Sequence, residues 1–250
     1  MSALHGSNVV LLFDGFNMTG YFREFSMEAS QTVHDTTVFG QSSRTKIPGL
    51  KDGKASGAAF FDPTATVGSY PVLKGKFTGS SPASPSIANI TMGLNGLAVG
   101  GRTQMGYFNT ANLTFQNVVD GLEMMSLATE AEEDSIDHGI SLHALSEETS
   151  FPFSGTAVDN TAATANGGVG TVHITANAGA SPSLTMIIQH STDNSTWVTL
   201  LTFLTNGSTA HSSDRVEVAA GTTVRRYLRL RLTEFGSTDG MTLQASFARR

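Results

Sequence analysis

The sequence contains no cysteine, which excludes a disulfide framework, a thiolate metal site and a cysteine nucleophile. It is also short of charge: Asp, Glu, Lys and Arg make up 14% of its residues, against roughly 25% in ordinary globular domains. Lysine is missing from residues 151–250, where all seven basic residues are arginines. No apolar run approaches the ~20 residues that a membrane-spanning helix needs. The opening MSALHGSNVVLLFDGFNMTG has no Lys or Arg ahead of a five-residue apolar run, so neither a signal peptide nor a membrane partner is expected. Residence in a cytoplasm is the default reading.

What the chain has instead is glycine, 26 residues of it, with abundant Ser and Thr. Glycine supplies turns, and threonine suits a pleated, half-buried surface. A charge-poor surface also suits a protein largely covered by copies of itself, because charge is depleted at interface cores. The charges present are uneven. Residues 1–150 hold 8 Lys+Arg against 15 Asp+Glu, a balance of 8 − 15 = −7, whereas residues 151–250 hold 7 against 6, a balance of +1. An acidic half is a poor adhesive for DNA, whose phosphates call for a basic patch; such charge serves equally a wall that lets DNA pass without sticking and ordinary solubility.

Composition shifts near Ser150, from the acidic stretches Glu130–Asp134 and Glu147-Glu148 to the Thr/Ala/Gly-rich FPFSGTAVDNTAATANGGVG. Two domains are expected, 1–150 and 151–250. Both read as β: strands are predicted at 8–13, 22–30, 55–61, 86–93, 97–99, 104–108, 111–119 and 121–129, and then at 169–176, 184–190, 196–204, 215–219, 224–232 and 241–248. In 22–30, Phe22, Glu24, Ser26 and Glu28 alternate with Arg23, Phe25, Met27 and Ala29. Turn pairs such as Asn166-Gly167, Asn206-Gly207 and Asp239-Gly240 separate the later strands, the spacing of a β-sandwich or jelly roll. One short helix is predicted within 62–74, limited by Pro63, Gly68 and Pro71. The polar stretch 31–54 reads as an extended loop or hairpin.

Few residues suggest chemistry. His138 and His143 are five apart and fall on opposite faces of an extended segment; Asp134, Asp137 and His138 read as a solvated acidic loop rather than a cation site. Asp193-Asn194-Ser195 lacks the later Gly and Glu of a calcium loop and reads as a hairpin turn. The glycines of 93–101 and 166–170 lack a following GK[ST], and no nucleophile elbow, HExxH or paired catalytic carboxylates occur. No enzyme activity, cofactor or metal is expected. In VRRYLRLRL, Arg225, Tyr227, Arg229 and Arg231 share one face, and Arg226, Leu228, Leu230 and Leu232 the other. The arginines either coat a half-buried strand or meet carboxylates of a neighbouring subunit. Trp197, the single tryptophan, is either a core or rim residue or a stacking platform for a sugar.

The stretch 11–62 contains Asp14 to Tyr21 (DGFNMTGY), then DTTVFG at 35–40 and PGLKDG at 48–53. In these elements it resembles the opening of bacteriophage tail tube (major tail) proteins. LAVGGRTQMGYFNTANLTFQNVVDGLEMMSLATEAEE resembles the strand pair that closes that domain, and the last hundred residues look like a β-sandwich add-on. The resemblance implies an all-β fold: a tail-tube-like sandwich or split barrel at 1–150, ring-forming and lumen-lining, and an outer β-sandwich or jelly roll at 151–250. It implies a structural virion protein that stacks as homo-oligomeric rings, meets other tail proteins, and is assembled in the host cytoplasm. DNA would pass through its channel without sequence-specific binding. The 31–54 segment would reach the next ring through Thr36, Thr37, Phe39, Arg44, Ile47, Pro48 and Leu50. Alternative readings are a head decoration or other particle-surface protein, and a carbohydrate-binding β-sandwich module.

Overall fold

Alternating apolar and polar runs become strands throughout the chain. The computed structural model describes residues 8–78, 87–117, 121–132, 136–177, 185–204, 210–233 and 240–250. The first part contains β1 (Val10–Phe13), β2 (Phe16–Asn17), β3 (Phe22–Asp35), β4 (Lys46–Phe60), α1 (Ser69–Thr78), β5 (Ile87–Gly93), β6 (Arg102–Gln116), β7 (Met124–Ala131) and β8 (Asp137–Glu148). The remainder holds β9 (Phe153–Ser154), β10 (Val158–Asp159), β11 (Gly168–Asn177), β12 (Met186–Ser191), β13 (Val198–Thr202), β14 (Ser212–Val218), β15 (Tyr227–Leu232) and β16 (Met241–Arg249). The fold is all-β with one minor helix, as the turn-rich composition implies. The turn residues Asn206, Gly207 and Asp239, and Asp134 of the acidic stretch, lie outside the described residues.

Two compact units divide the chain: Met1–Gly20, Asn89–Met105 and Asp137–Arg250 form the first, and Tyr21–Ala88 and Gly106–Ile136 the second. The division does not fall at residue 150, because β8 before that point pairs antiparallel with β16 after it.

The first unit is a sandwich. β14, β11, β16 and β8 lie side by side in one sheet, and β10, β15, β12 and β13 in the other, with β9 also on β15. Val172, Ile174, Leu243, Ala245 and Phe247 from one sheet meet Met186, Ile188, Leu228, Leu230 and Leu232 from the other in a single buried cluster. Each such aliphatic side chain contributes about 1.5–3 kcal/mol of burial. The Leu face of β15 therefore points inward as its alternation predicts. Arg226, expected on that face, instead precedes the strand, stands exposed and pairs with Asp159 at 2.6 Å.

The turn between β1 and β2 is clamped onto this sandwich. Asp14 Oδ1 accepts from the Asn89 amide and the Ser213 hydroxyl, each at 2.9 Å. Gly15 has φ +80°, and a Cβ there would stand 2.4 Å from the Ser212 nitrogen. The Gly15 amide donates to His173 Nδ1 at 3.2 Å, which leaves Nε2 to donate to Thr91 Oγ1 at 2.9 Å. His173 is therefore held as a neutral imidazole; burial pulls its pKa down to about 4, only partly opposed by the Asp14 charge. Because the unfolded chain binds this proton more readily, the contribution is complete above about pH 6.5 and drains away as pH falls toward 4. Urea unfolding is expected to show up to about 3 kcal/mol less stability from this group at pH 4 than at pH 7.5, and His173→Gln should flatten that slope.

In the second unit β3 pairs with β4, β4 with β7 and β7 with β6, and β3 is outermost. One face buries Ala55, Ala59, Met125, Leu127 and Thr129. The helix adds Val72 and Leu73 to the unit's buried residues, and Tyr70 lies 5.7 Å from Phe115, ring to ring. The helix starts inside the predicted window and runs beyond it, to Thr78. Asp62 first closes a local turn by accepting from the Thr64 amide and hydroxyl, and helix starts only past Gly68, with Pro71 tolerated in the first turn. The strands predicted at 104–108 and 111–119 are one strand, β6, bulged between Thr110 and Asn112. No strand forms at 97–99, where Gly100 and Gly101 hold a turn.

Candidate assembly surface

The segment 31–54 is a hairpin rather than a loop. β3 and β4 pair antiparallel from Phe22↔Ala59 out to Asp35↔Lys46, with irregularities near either end, leaving only residues 36–45 outside the strands. A strand of 14 residues against one of 15 is well beyond the usual five or six. Toward the tip neither face is covered: from Glu28 to Asp35 every residue of β3 is exposed. β3 pairs with β4 alone, so its other edge carries no strand among the described residues. Open edges of this length invite pairing with another chain.

The tip is knit by polar groups. Thr36 donates its amide and hydroxyl to the Thr45 carbonyl. The Thr37 amide donates to Asp35 Oδ1 at 2.9 Å, while its hydroxyl accepts from the Thr45 amide at 3.0 Å. Gln41 Oε1 accepts from the Thr45 hydroxyl at 3.1 Å. These bonds fix a small frame from which Val38 and Phe39 project; Phe39 is fully exposed. Farther down, Val33 pairs with Pro48 and His34 with Ile47, and Leu50 is 85% exposed. Thr36 and Thr37 thus shape the tip, whereas Phe39, Ile47, Pro48 and Leu50 present apolar surface and Arg44 stands exposed beside them. Val33 and Val38, both exposed, belong to the same apolar set and were not among the residues expected.

Nearer the body, one sheet face is open, small and acidic. Glu24 pairs with Ala58, Ser26 with Ser56, Glu28 with Lys54, and Ser30 with Asp52. On the next strand Ala58 meets Ser126, Ser56 meets Ala128, and Lys54 meets Glu130. Four carboxylates and one lysine give this face a formal 1 − 4 = −3. The Lys54–Glu130 pair, 3.3 Å apart and half exposed on both sides, contributes little stability. The alternation of Glu24, Ser26 and Glu28 against Phe25 and Met27 was legible in the sequence, as were strands at 55–61 and 121–129; that these pair to extend the face was not.

Asp137, read as part of a solvated acidic loop, begins β8 and is buried. It accepts from Arg215 Nη2 at 3.0 Å and Arg250 Nε at 3.2 Å, a pairing that only the folded sandwich creates. His138, next to it, is exposed, and His143 is buried, in accord with opposite faces of a strand. Asp193 forms the expected turn, its Oδ1 accepting from the Ser195 and Thr196 amides, which holds its carboxyl well below the usual range.

Of the arginines in VRRYLRLRL, Arg229 and Arg231 lie on the solvent side of β15, and Arg225 precedes the strand. The Arg225 amide donates to His190 Nδ1 at 3.2 Å. Trp197 is half-buried, with the Arg229 guanidinium 4.1 Å above its ring.

No protein-family model matches the chain, and no curated protein matches it. Among solved structures it is similar to a chain of the virion of the native gene transfer agent particle, at 12% identity and TM-score 0.42 over 54% of this chain and 98% of that one. It is similar to the SPP1 tail tube protein at 9% identity and TM-score 0.43, over 55% and 81%. A chain of the activated phage p2 baseplate is similar at 11% identity and TM-score 0.32, over 97% and 98%.

Proposed function

We propose that this chain is the repeating subunit of a bacteriophage tail tube, a structural role with no catalytic step. The observation that carries the reading is the β3–β4 ribbon: long, open along one edge, uncovered toward its tip and capped by exposed Phe39. Such a ribbon exposes apolar surface and unpaired backbone that a lone molecule leaves in water, and both are satisfied when copies join. In this reading the open edge of β3 pairs with a strand of a neighbouring copy, and repetition of that contact closes a ring. The apolar tip reaches the ring above. The face bearing Glu24, Glu28, Asp52 and Glu130 lines the channel, where like charge keeps passing DNA from adhering.

The tail-tube elements of the sequence, Asp14–Tyr21, Asp35–Gly40 and Pro48–Gly53, fall on the clamped β1–β2 turn and on the ribbon. Ring formation is assigned to the unit that carries the ribbon, Tyr21–Ala88 and Gly106–Ile136, with assembly in the host cytoplasm and other tail proteins at the tube ends. Electron microscopy of the purified full chain at rising concentration tests the reading. Rings and stacked tubes are expected, and replacing residues 36–45 by Asn-Gly should stop stacking. A strictly monomeric protein at high concentration would sink it.

A further inference from the structure

We propose that the solvent face of the five-stranded sheet, around Arg229, Arg231 and Trp197, binds an anionic polysaccharide, a chain of sugars bearing carboxylate or phosphate groups. The inference does not rest on the tube assignment.

Some arginines of this unit find carboxylates, while Arg249 is taken up by the Thr164 hydroxyl and backbone carbonyls. Arg215 pairs with Asp137, Arg226 with Asp159, and Arg250 with Glu217. Arg229 and Arg231 differ: among the described residues neither has a carboxylate within 4.0 Å, and each is oriented by neutral groups instead. Arg229 donates through Nε and Nη2 to Gln189 Oε1, at 3.0 and 2.8 Å, while stacking on Trp197. Arg231 donates through Nη1 to Ser154 Oγ at 3.0 Å. Neutral acceptors aim a guanidinium without cancelling its charge, so both heads keep donors available for a bidentate anion.

Their mutual repulsion is unrelieved. Burial, and then the neighbouring Arg231 charge, push Arg229 below the usual guanidinium range, and a bound anion would offset both. The spacing suits a polymer. Alternate residues of a strand lie roughly 6.5–7 Å apart, so the two forks address separate groups along a chain. Half-exposed Trp197 and Tyr227, one ring face of each covered by Arg229 and Arg226 respectively, add their remaining aromatic surface for the apolar faces of sugar rings. Gln189 and Ser154, with Thr199 paired opposite Gln189, add amide and hydroxyl groups suited to sugar hydroxyls. An acidic protein segment would use the arginines but has less need of the aromatic and amide surface.

Affinity electrophoresis of the full-length protein through gels containing polygalacturonate, poly(glycerol phosphate), neutral dextran or polyglutamate tests this. Retardation by polygalacturonate or poly(glycerol phosphate), weakening as salt rises, is expected, and which of the two retards identifies the anion. Dextran should have no effect. Arg229→Gln with Arg231→Gln should weaken binding by roughly tenfold or more, and Trp197→Ala by less; melting curves establish that the variants are folded. Should the Gln pair fail to fold, Arg229→Lys with Arg231→Lys keeps the charge but loses the forks and should weaken binding measurably. The proposal is overturned if neither anionic glycan retards the protein, or if a folded double variant binds undiminished. Polyglutamate binding as tightly as either glycan also overturns it, in favour of an acidic protein partner.

Discussion

Phe39→Asp is expected to leave the isolated protein as stable as the wild type and to abolish tube growth. Phe39 is fully exposed, and the tip that carries it is held by Thr36, Thr37, Gln41 and Thr45. Removing the ring therefore costs the monomer no packing, and the change in folding stability should stay within ~0.5 kcal/mol. In the proposed ring-to-ring contact the same ring would be buried, for about 1.5–3 kcal/mol per contact, and a carboxylate in its place would shed water without a partner. The concentration at which tubes form should rise at least ~10–100-fold. Phe39→Leu, which keeps an apolar group, should assemble nearly as well. Sedimentation of polymer against concentration, beside melting curves, separates the outcomes; unchanged assembly of Phe39→Asp would remove the tip from the contact.

Asp137→Ala is expected to have the largest effect on stability. Its carboxylate faces Arg215, whose side chain is only 3% exposed, and Arg250 at 3.2 Å. Glu217, half exposed, reaches the same two guanidinium groups at 3.3 and 2.9 Å and cannot replace a buried partner. With Glu217 remaining beside Arg215 at 3.3 Å, the cost falls toward the low end of the about 3–5 kcal/mol of a broken buried pair, still a large share of the ~5–15 kcal/mol that holds a domain together. The urea midpoint should fall accordingly and the melting temperature by about 10 °C. Asp137→Asn, which retains an acceptor oxygen, should lose less. Adding Arg215→Leu to Asp137→Ala should recover part of the loss; no recovery would mean that the stranded charge is not the cause.

Legibility followed periodicity. Strands with a clean alternation, such as β15 with Leu228, Leu230 and Leu232 against Arg229 and Arg231, were readable because one face is buried and the other wet. The distal ribbon was not, because exposure on both faces removes the alternation that marks a strand; 31–54 therefore read only as an extended loop or hairpin. β8 was missed for a related reason. Asp137 and His138 open it with polar residues, and the buried role of Asp137 depends on Arg215 and Arg250, far along the chain. Phe39, Ile47, Pro48 and Leu50 were found as a group through the resemblance of 11–62 to tail tube openings. Their exposure is a property of the fold alone.

The clamp at Asp14 also sets a timetable. Its hydroxyl donor, Ser213, lies 199 residues later in the chain. At roughly 5–20 residues per second a ribosome needs about 10–40 s to cover that distance, and meanwhile the first strand has no sandwich to dock on. The whole β3–β4 ribbon is synthesised well before that closure. An adhesive edge thus emerges while half of the molecule is still unmade. Slow synthesis on crowded polysomes should accordingly promote premature ribbon-to-ribbon association.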